Sequence, residues 1–200
     1  MRHNASLPCL PLLGMLLMSL GVAGCHIETH KNGKDDDVHI GTPFGSMHVQ
    51  TDQASAIAGL GLTPYPGAAT VHKKDDDDGA ADVDFSFGGF KLGVHALELQ
   101  TGDAQDKVLA FYRKDMGRYG TVITCHGPKT VGQPARTAEG LECDTERHGH
   151  QDDDMELRTG SPQRQHIVSV KTEDGGTRIG LVALELPKGL NHHGNSEREE

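Results

Sequence analysis

Two β-strands joined by a tight turn can be read from residues 167–186, whose sequence is IVSVKTEDGGTRIGLVALEL. Asp174-Gly175-Gly176 in the middle supplies the residue types that hairpin turns require. After this turn, apolar side chains occupy both odd and even positions between Ile179 and Leu186. A strand that is apolar on both sides is typical of the middle of a sheet, where both faces are covered. We therefore expect residues 179–186 to form a central strand.

The chain before this hairpin alternates between strands and one amphipathic helix. Three apolar residues alternate with polar ones and predict a strand with one buried face: Val83, Phe85 and Phe87. Four others recur at helical spacing after Asp103, a predicted N-cap: Val108, Phe111, Tyr112 and Met116. This order predicts an α+β fold over residues 63–187, an antiparallel sheet with one main helix packed on one face. Residues 188–200 are predicted to be a disordered polar tail.

Residues 25–62 lie between the leader and this domain. No periodicity occurs over residues 26–37, which favours a flexible tether. Apolar and polar residues alternate on either side of a glycine- and proline-containing turn within residues 38–49, so that a short hairpin is plausible there. One or two helical turns are expected within residues 52–62.

Composition limits the classes of function. The chain has 200 residues, with 19 Lys and Arg against 29 Asp and Glu, and a formal net charge of −10. Proteins that bind nucleic acid need a basic face, so this balance argues against such a partner. Hydrophobic residues make up 35% of the chain, which is enough for one modest core.

The first 24 residues have the plan of a secretory signal peptide, with Arg2 ahead of an apolar run and small residues at the end. Val22-Ala23-Gly24-Cys25 resembles the lipobox of bacterial lipoproteins. The resemblance implies that the Cys25 thiol receives a diacylglycerol group, that the signal is cleaved after Gly24, and that the new amine is acylated. His26, rather than Asp, follows the cysteine, which by the same resemblance favours the outer membrane. The alternative is a conventional secretory leader.

A second resemblance concerns the domain itself. The segment Tyr65-Pro66-Gly67-Ala68, the pair Phe111-Tyr112 and the pair Tyr119-Gly120 resemble a recurring uncharacterised exported bacterial domain. These motifs are of the structural kind: a turn, a core-facing aromatic pair and a helix end. The resemblance supports the predicted fold and implies no activity.

The cysteines predict one disulfide. Of the four cysteines, Cys9 is removed with the leader. If Cys25 is acylated, Cys125 and Cys143 remain, and an exported compartment allows them to pair. On the chain-entropy model, closing a loop of this length stabilises a fold by about 3 kcal/mol. The alternative is a reactive thiol at Cys125 activated by His126, but adjacent residues of a strand point to opposite faces.

Histidine and aspartate are abundant, and one segment has the spacing of a metal site. The chain has 13 His, and an extended backbone would place four residues on one side: His148, His150, Asp152 and Asp154. Nitrogen and oxygen ligands of this kind suit zinc, nickel or copper. Gly149 indicates a mobile loop instead, and the run that starts at Asp75 does not fit a calcium-binding loop because Ala80 occupies the position that requires glycine. We therefore predict no catalytic residue, metal ligand or cofactor.

These observations lead to one main functional hypothesis. The chain is expected to be a non-enzymatic lipoprotein, held in the cell membrane or outer membrane through Cys25, with its domain facing the periplasm or the exterior. Its expected partners are the lipid bilayer and another envelope protein. The alternative is a metal-binding lipoprotein that uses the His/Asp-rich segments, and an enzyme of unknown class is a weaker third hypothesis.

Overall fold

The computed structural model describes residues 25–32, 35–71, 79–143, 154–173 and 175–187. Within them the chain forms strands, two α-helices and one 3₁₀ helix, in the order β1 His26–Asn32, β2 Asp35–Thr42, β3 Gly45–Gln50, α1 Gln53–Leu60, β4 Ala69–Thr70, β5 Ala80–Phe87, β6 Phe90–Thr101, α2 Gln105–Met116, 3₁₀ Gly117–Tyr119, β7 Ile123–His126, β8 Lys129–Thr130, β9 Met155–Ser161, β10 Arg164–Glu173 and β11 Gly176–Glu185. Neither α-helix of this described part has the length and hydropathy needed to cross a membrane.

All the strands join one antiparallel sheet. Its order is β1-β2-β3-β5-β6-β11-β10-β9-β7-β8, and β4 pairs with the end of β6. The predicted antiparallel sheet and α+β class are confirmed. Strand β11 lies between β6 and β10, so the segment around residues 179–186 is central as expected. The expected covering of both faces is not found, because Val182 and Leu184 are only partly buried.

The predicted single main helix is wrong, because two helices contact the sheet. Helix α1 lies against β5, β6 and β11, and α2 lies against β9, β10 and β11. Helix α1 begins where the Asp52 carboxylate accepts a hydrogen bond from the Ser55 amide at 2.9 Å, and ends at Gly61 in the left-handed conformation. The helix has only eight residues and is not strongly amphipathic, so it is stabilised by packing against the sheet.

The predicted flexible tether over residues 26–37 is also replaced by regular structure. Strand β1 pairs with β2, β2 with β3, and β3 with β5, so that the expected hairpin is continuous with the main sheet. Strand β1 is exposed at the sheet edge and carries polar residues on both sides, which leaves no alternating pattern to detect. Its structure is set by pairing with β2.

Asp103 does not cap the main helix as predicted. The N-cap of α2 is Ala104, which makes no side-chain cap. The Asp103 carboxylate instead accepts a hydrogen bond from the Tyr65 hydroxyl at 2.7 Å and lies 2.8 Å from Lys107 Nζ. The contact with Lys107 has the larger effect and that with Tyr65 the next; both hold the pKa of Asp103 below its ordinary value. Tyr65 is therefore an anchor between the segment before β4 and the start of α2.

The two faces of the sheet differ in how they are covered. The helices cover one face, here called the helix-covered face, where the apolar side chains of the central strands are buried: Leu97, Leu99, Val168, Val170, Ile179 and Leu181. The opposite side chains of β6 and β11 are only partly buried, and we call this the open face: Val94, Ala96, Val182 and Leu184. No described helix packs on the open face.

Candidate functional site

The predicted disulfide is present. Cys125 and Cys143 are bonded and buried, and they pack with Ile123. Cys125 lies in β7. A strand was expected at residues 141–144, but residues 141–143 form an irregular segment, and residue 144 lies outside the described residues. Cys125 is thus not a free thiol, and the reactive-cysteine alternative fails.

The other predicted site residues lie in different places. Cys25 has a free thiol and is exposed at the start of β1. Gly24 and the rest of the leader lie outside the described residues, as do His148, His150 and Asp152. Acylation, cleavage and metal binding by that segment therefore stay predictions.

The register of the sheet brings together a set of ionisable residues that the sequence analysis missed. Asp82 of β5 lies opposite His95 of β6, and Asp84 lies opposite Gly93. His48 of β3 lies opposite Asp84 on the other side. Since alternate residues of a strand share a face, these side chains continue the helix-covered face beyond Leu97. Asp82, Asp84 and His95 are here called the Asp/His cluster.

The ligand atoms of the Asp/His cluster are close enough to share one cation. One carboxylate oxygen of each aspartate and one ring nitrogen of His95 all lie within 4.8 Å of one another. His95 Nδ1 lies 3.2 Å from Asp82 Oδ1, and the two side chains are 17% and 12% exposed. Nδ1 is nevertheless buried without a hydrogen bond of good geometry. Asp84 is exposed, so the cluster opens to solvent on one side.

Two glycines make room for the side chains of the cluster. A Cβ at Gly59 in α1 would collide with the His95 ring, so the helix can approach the imidazole only without a side chain there. A Cβ at Gly93 would lie 3.2 Å from Asp84 Oδ1 and 3.6 Å from His95 Nε2. Because Gly93 has no side chain, a small space stays open between the Asp84 carboxylate and the His95 ring.

Burial makes the negative charge of the cluster costly. Desolvation raises the pKa of Asp82, and the nearby Asp84 carboxylate raises it further, whereas His95 opposes this shift. The site thus favours neutralisation of Asp82. A proton, a protonated His95 or a bound cation would each supply it.

Further polar groups surround the cluster on its exposed side. His48 Nε2 lies 2.9 Å from Asp37 Oδ1. The His48 ring also packs edge-to-face against the His39 ring, with ring centres 5.7 Å apart. A cavity of about 250 Å³ adjoins Asp84 and is lined mainly by polar side chains, including Ser46, His48, Lys91 and Glu185. Small polar solutes can therefore reach the open side of the cluster.

The open face carries a separate cavity of about 390 Å³. Small and apolar residues of the central strands form its floor: Ala81, Ala96, Gly180 and Val182. Its rim holds Arg178, whose guanidinium lies 2.8 Å from Glu98 and 2.9 Å from Glu173. A Cβ at Gly180 would come within 2.5 Å of Ser169 Oγ, so a larger residue there would require the serine side chain to move.

Strand register is the signal that would have revealed the Asp/His cluster in the sequence. Gly88-Gly89 supplies the glycines of a tight turn between β5 and β6. A two-residue hairpin there pairs Phe87 with Phe90, and counting outward pairs Asp82 with His95.

Comparison of the chain with protein-family models, curated proteins and solved structures finds no match.

Proposed function

We propose that the chain is an acylated, non-enzymatic lipoprotein of the cell envelope whose domain binds another envelope protein. The observation that carries the membrane attachment is Val22-Ala23-Gly24-Cys25, together with the exposure of Cys25, which directly precedes β1. Several acyl chains together anchor a protein stably, which one chain alone does not. The domain then faces the periplasm or the exterior.

The open face supports the binding role. Apolar side chains of β6 and β11 are only partly buried there, and they adjoin the cavity of about 390 Å³. Partly exposed apolar surface around a concave, polar-rimmed centre is typical of protein-binding patches. On the other side of the same strands the apolar side chains are buried in the core, so a protein partner is expected to contact the open face.

Two experiments test this proposal. Mass spectrometry of the mature protein should find an acylated Cys25 at the N-terminus, and Cys25→Ser should release the protein from membranes. A photo-crosslinking residue at Val182, on the open face, should then capture a defined partner in intact envelopes. The same residue at Lys114, exposed on α2, is the control. Equal capture at both positions would remove the support for the open face.

A second candidate function is binding of a divalent transition metal at the Asp/His cluster. The observation that favours it is the approach of three ligand atoms to within 4.8 Å of one another. One nitrogen and two oxygen ligands with an open side suit zinc, nickel, copper or manganese, and leave room for water or a further ligand. A dication would also balance the carboxylates that burial disfavours.

Melting curves with each metal distinguish this site from the His148 segment. A metal present at about 100 times its dissociation constant stabilises a fold by about 2.7 kcal/mol. Under the metal hypothesis, His95→Gln and Asp84→Asn abolish that rise in melting temperature, whereas His148→Ala with His150→Ala leaves it unchanged. Asp106→Asn, in the first turn of α2, is the charge-matched control. No rise with any metal would eliminate this candidate.

A further inference from the structure

Cys25 is joined to the sheet without a spacer. The next residue, His26, is the first residue of β1 and pairs with Gly41 of β2. One residue of extended chain reaches at most about 3.6 Å. A group attached at Cys25 therefore remains close to this end of the sheet.

Two hairpin turns lie at the same end. The turn at Pro43-Phe44 joins β2 to β3, and the turn at Gly88-Gly89 joins β5 to β6. The Gly88 amide donates a hydrogen bond to the Phe44 carbonyl at 3.1 Å, which fixes the two turns side by side. We call Cys25, these turns and the residues that flank them the anchor end.

Large apolar side chains are exposed at the anchor end. Phe44 is 73% exposed, Phe87 56% and Phe90 38%, and Ile27, next to the first residue of β1, is 64% exposed. The chain has five Phe, so three of them lie here. Single exposed apolar residues are ordinary, but several at one tip mark an interaction site.

The charge at the anchor end differs from that of the whole chain. The chain carries a net charge of −10, yet residues 41–47 and 85–92 contain no Asp or Glu and one Lys, Lys91. The nearest carboxylate of β1, Glu28, lies 2.7 Å from the His26 ring. The two turns can therefore approach anionic headgroups with less repulsion than the rest of the domain would meet.

We propose that the anchor end lies on the bilayer, with Phe44, Phe87 and Phe90 inserted in its interface beside the acyl chains of Cys25. This inference rests on the proposed acylation of Cys25. Interfacial segments bury apolar side chains about 5–10 Å into the headgroup and acyl boundary, a depth that turn residues beside a lipidated cysteine reach. The strands then rise from the membrane, and the open face stays accessible to a partner.

The absence of Trp from the chain provides a sensitive test. Phe44→Trp and Phe87→Trp each introduce a single fluorescent reporter at the anchor end. Thr172→Trp is the matched control, because Thr172 is exposed near the opposite end of the sheet. The first and last of the 12 residues of β6 are about 36 Å apart, at a rise of about 3.3 Å per residue, and this is the separation of the two ends. The acylated mature protein is reconstituted in phosphatidylcholine and phosphatidylglycerol vesicles, with or without lipids brominated near the top of the acyl chain.

We expect both reporters at the anchor end to shift to the blue on reconstitution and to lose about half of their emission to the brominated lipids, since their rings reach bromine depth. The Thr172→Trp emission is expected to be unchanged. If acylated, vesicle-bound protein shows no quenching at Phe44→Trp and Phe87→Trp, the proposed orientation is wrong although the lipoprotein proposal stands. A blue shift that brominated lipids do not quench indicates protein contacts instead and likewise overturns it. If mass spectrometry shows no acyl group, the lipoprotein proposal itself fails.

Discussion

Two adjacent rows of side chains on the helix-covered face have opposite chemistry. One row crosses the sheet through apolar residues: Ala80, Leu97, Leu181, Val168 and Leu157. The next row, two residues further along each strand, is mostly polar: Asp82, His95, Ala183, His166 and Thr159. The apolar row is part of the main core, whereas in the polar row His95 meets α1 at Gly59 and His166 stacks on Tyr119 with ring centres 3.9 Å apart.

This difference separates stability from recognition. Burial of apolar side chains is the main favourable contribution to folding, so the apolar row stabilises the domain. Buried ionisable groups cost free energy unless they are paired, and such groups often cluster where a protein binds a ligand. The polar row is therefore the part of this layer that we associate with binding.

The largest effect is expected in the apolar row. Leu181→Ala should lower the free energy of unfolding by about 2–5 kcal/mol, since it removes buried methyl groups and leaves a cavity. Leu184→Ala makes the same change on the same strand but on the open face, where the side chain is only partly buried. Urea denaturation should show a clearly smaller loss for Leu184→Ala. Equal losses would mean that the open face is covered as fully as the core.

Removal of the disulfide is expected to be the next largest effect. Cys125→Ala with Cys143→Ala should cost about 3 kcal/mol, because the bond closes a loop with a sequence separation of 18 residues. The bond fastens the segment around residues 141–143 to β7, away from both rows. Denaturation of the double variant measures the loss, and metal binding at the Asp/His cluster serves as the control. A change in that binding would show that the disulfide also shapes the polar row.

Asp82→Asn should stabilise the domain near neutral pH in the presence of a chelator. Burial raises the pKa of Asp82 above the ordinary 3.8, so the folded state holds its proton more tightly than the unfolded state. Wild-type stability therefore falls as pH rises from about 3.8 through the raised pKa. The advantage of the variant should shrink as pH is lowered toward 3.8. A variant that is less stable at neutral pH would show that the ion pair with His95 outweighs desolvation.

His166 should give the smallest effect, with the opposite dependence on pH. Burial, followed by the charge of Arg118, lowers the pKa of His166 below the ordinary 6.5. The unfolded state then binds its proton more readily, so stability is complete above pH 6.5 and is lost as pH falls through the lowered pKa. His166→Gln should flatten this part of the profile, measured by thermal unfolding between pH 5 and 7.5. An unchanged profile would assign the dependence to another histidine.

Local patterns predicted much of the fold. The apolar spacing from Val108 to Met116 placed α2 correctly, because a helix packed on a sheet needs one apolar face. The glycine turn at residues 174–176 and the apolar segment after it placed β10 and β11. The short helix α1 gave a weak signal, since contacts with strands distant in sequence stabilise it. The edge strand β1 was missed because its polar residues leave no alternating pattern, although it pairs with the neighbouring β2.

The Asp/His cluster was missed for a related reason. On its own strand Asp82 is one of several polar residues that alternate with apolar ones, and such residues normally face solvent. The alternation correctly separates the two sides of β5, but the side that holds Asp82 proves to be the one that α1 partly covers. Only the position of α1 distinguishes a buried carboxylate from an exposed one.

The sequence by itself determined the α+β class, the antiparallel pairing of nearby strands and the Cys125–Cys143 bond, because these depend on periodicity, turn residues and cysteine count. The tertiary structure decided which residues meet across strands and which face each helix covers. Those outcomes depend on register and on close approaches at positions such as Gly59 and Gly93, where a side chain would not fit. Because a cluster of ligands is defined by distances across the sheet, its existence could be recognised only after the chain was folded.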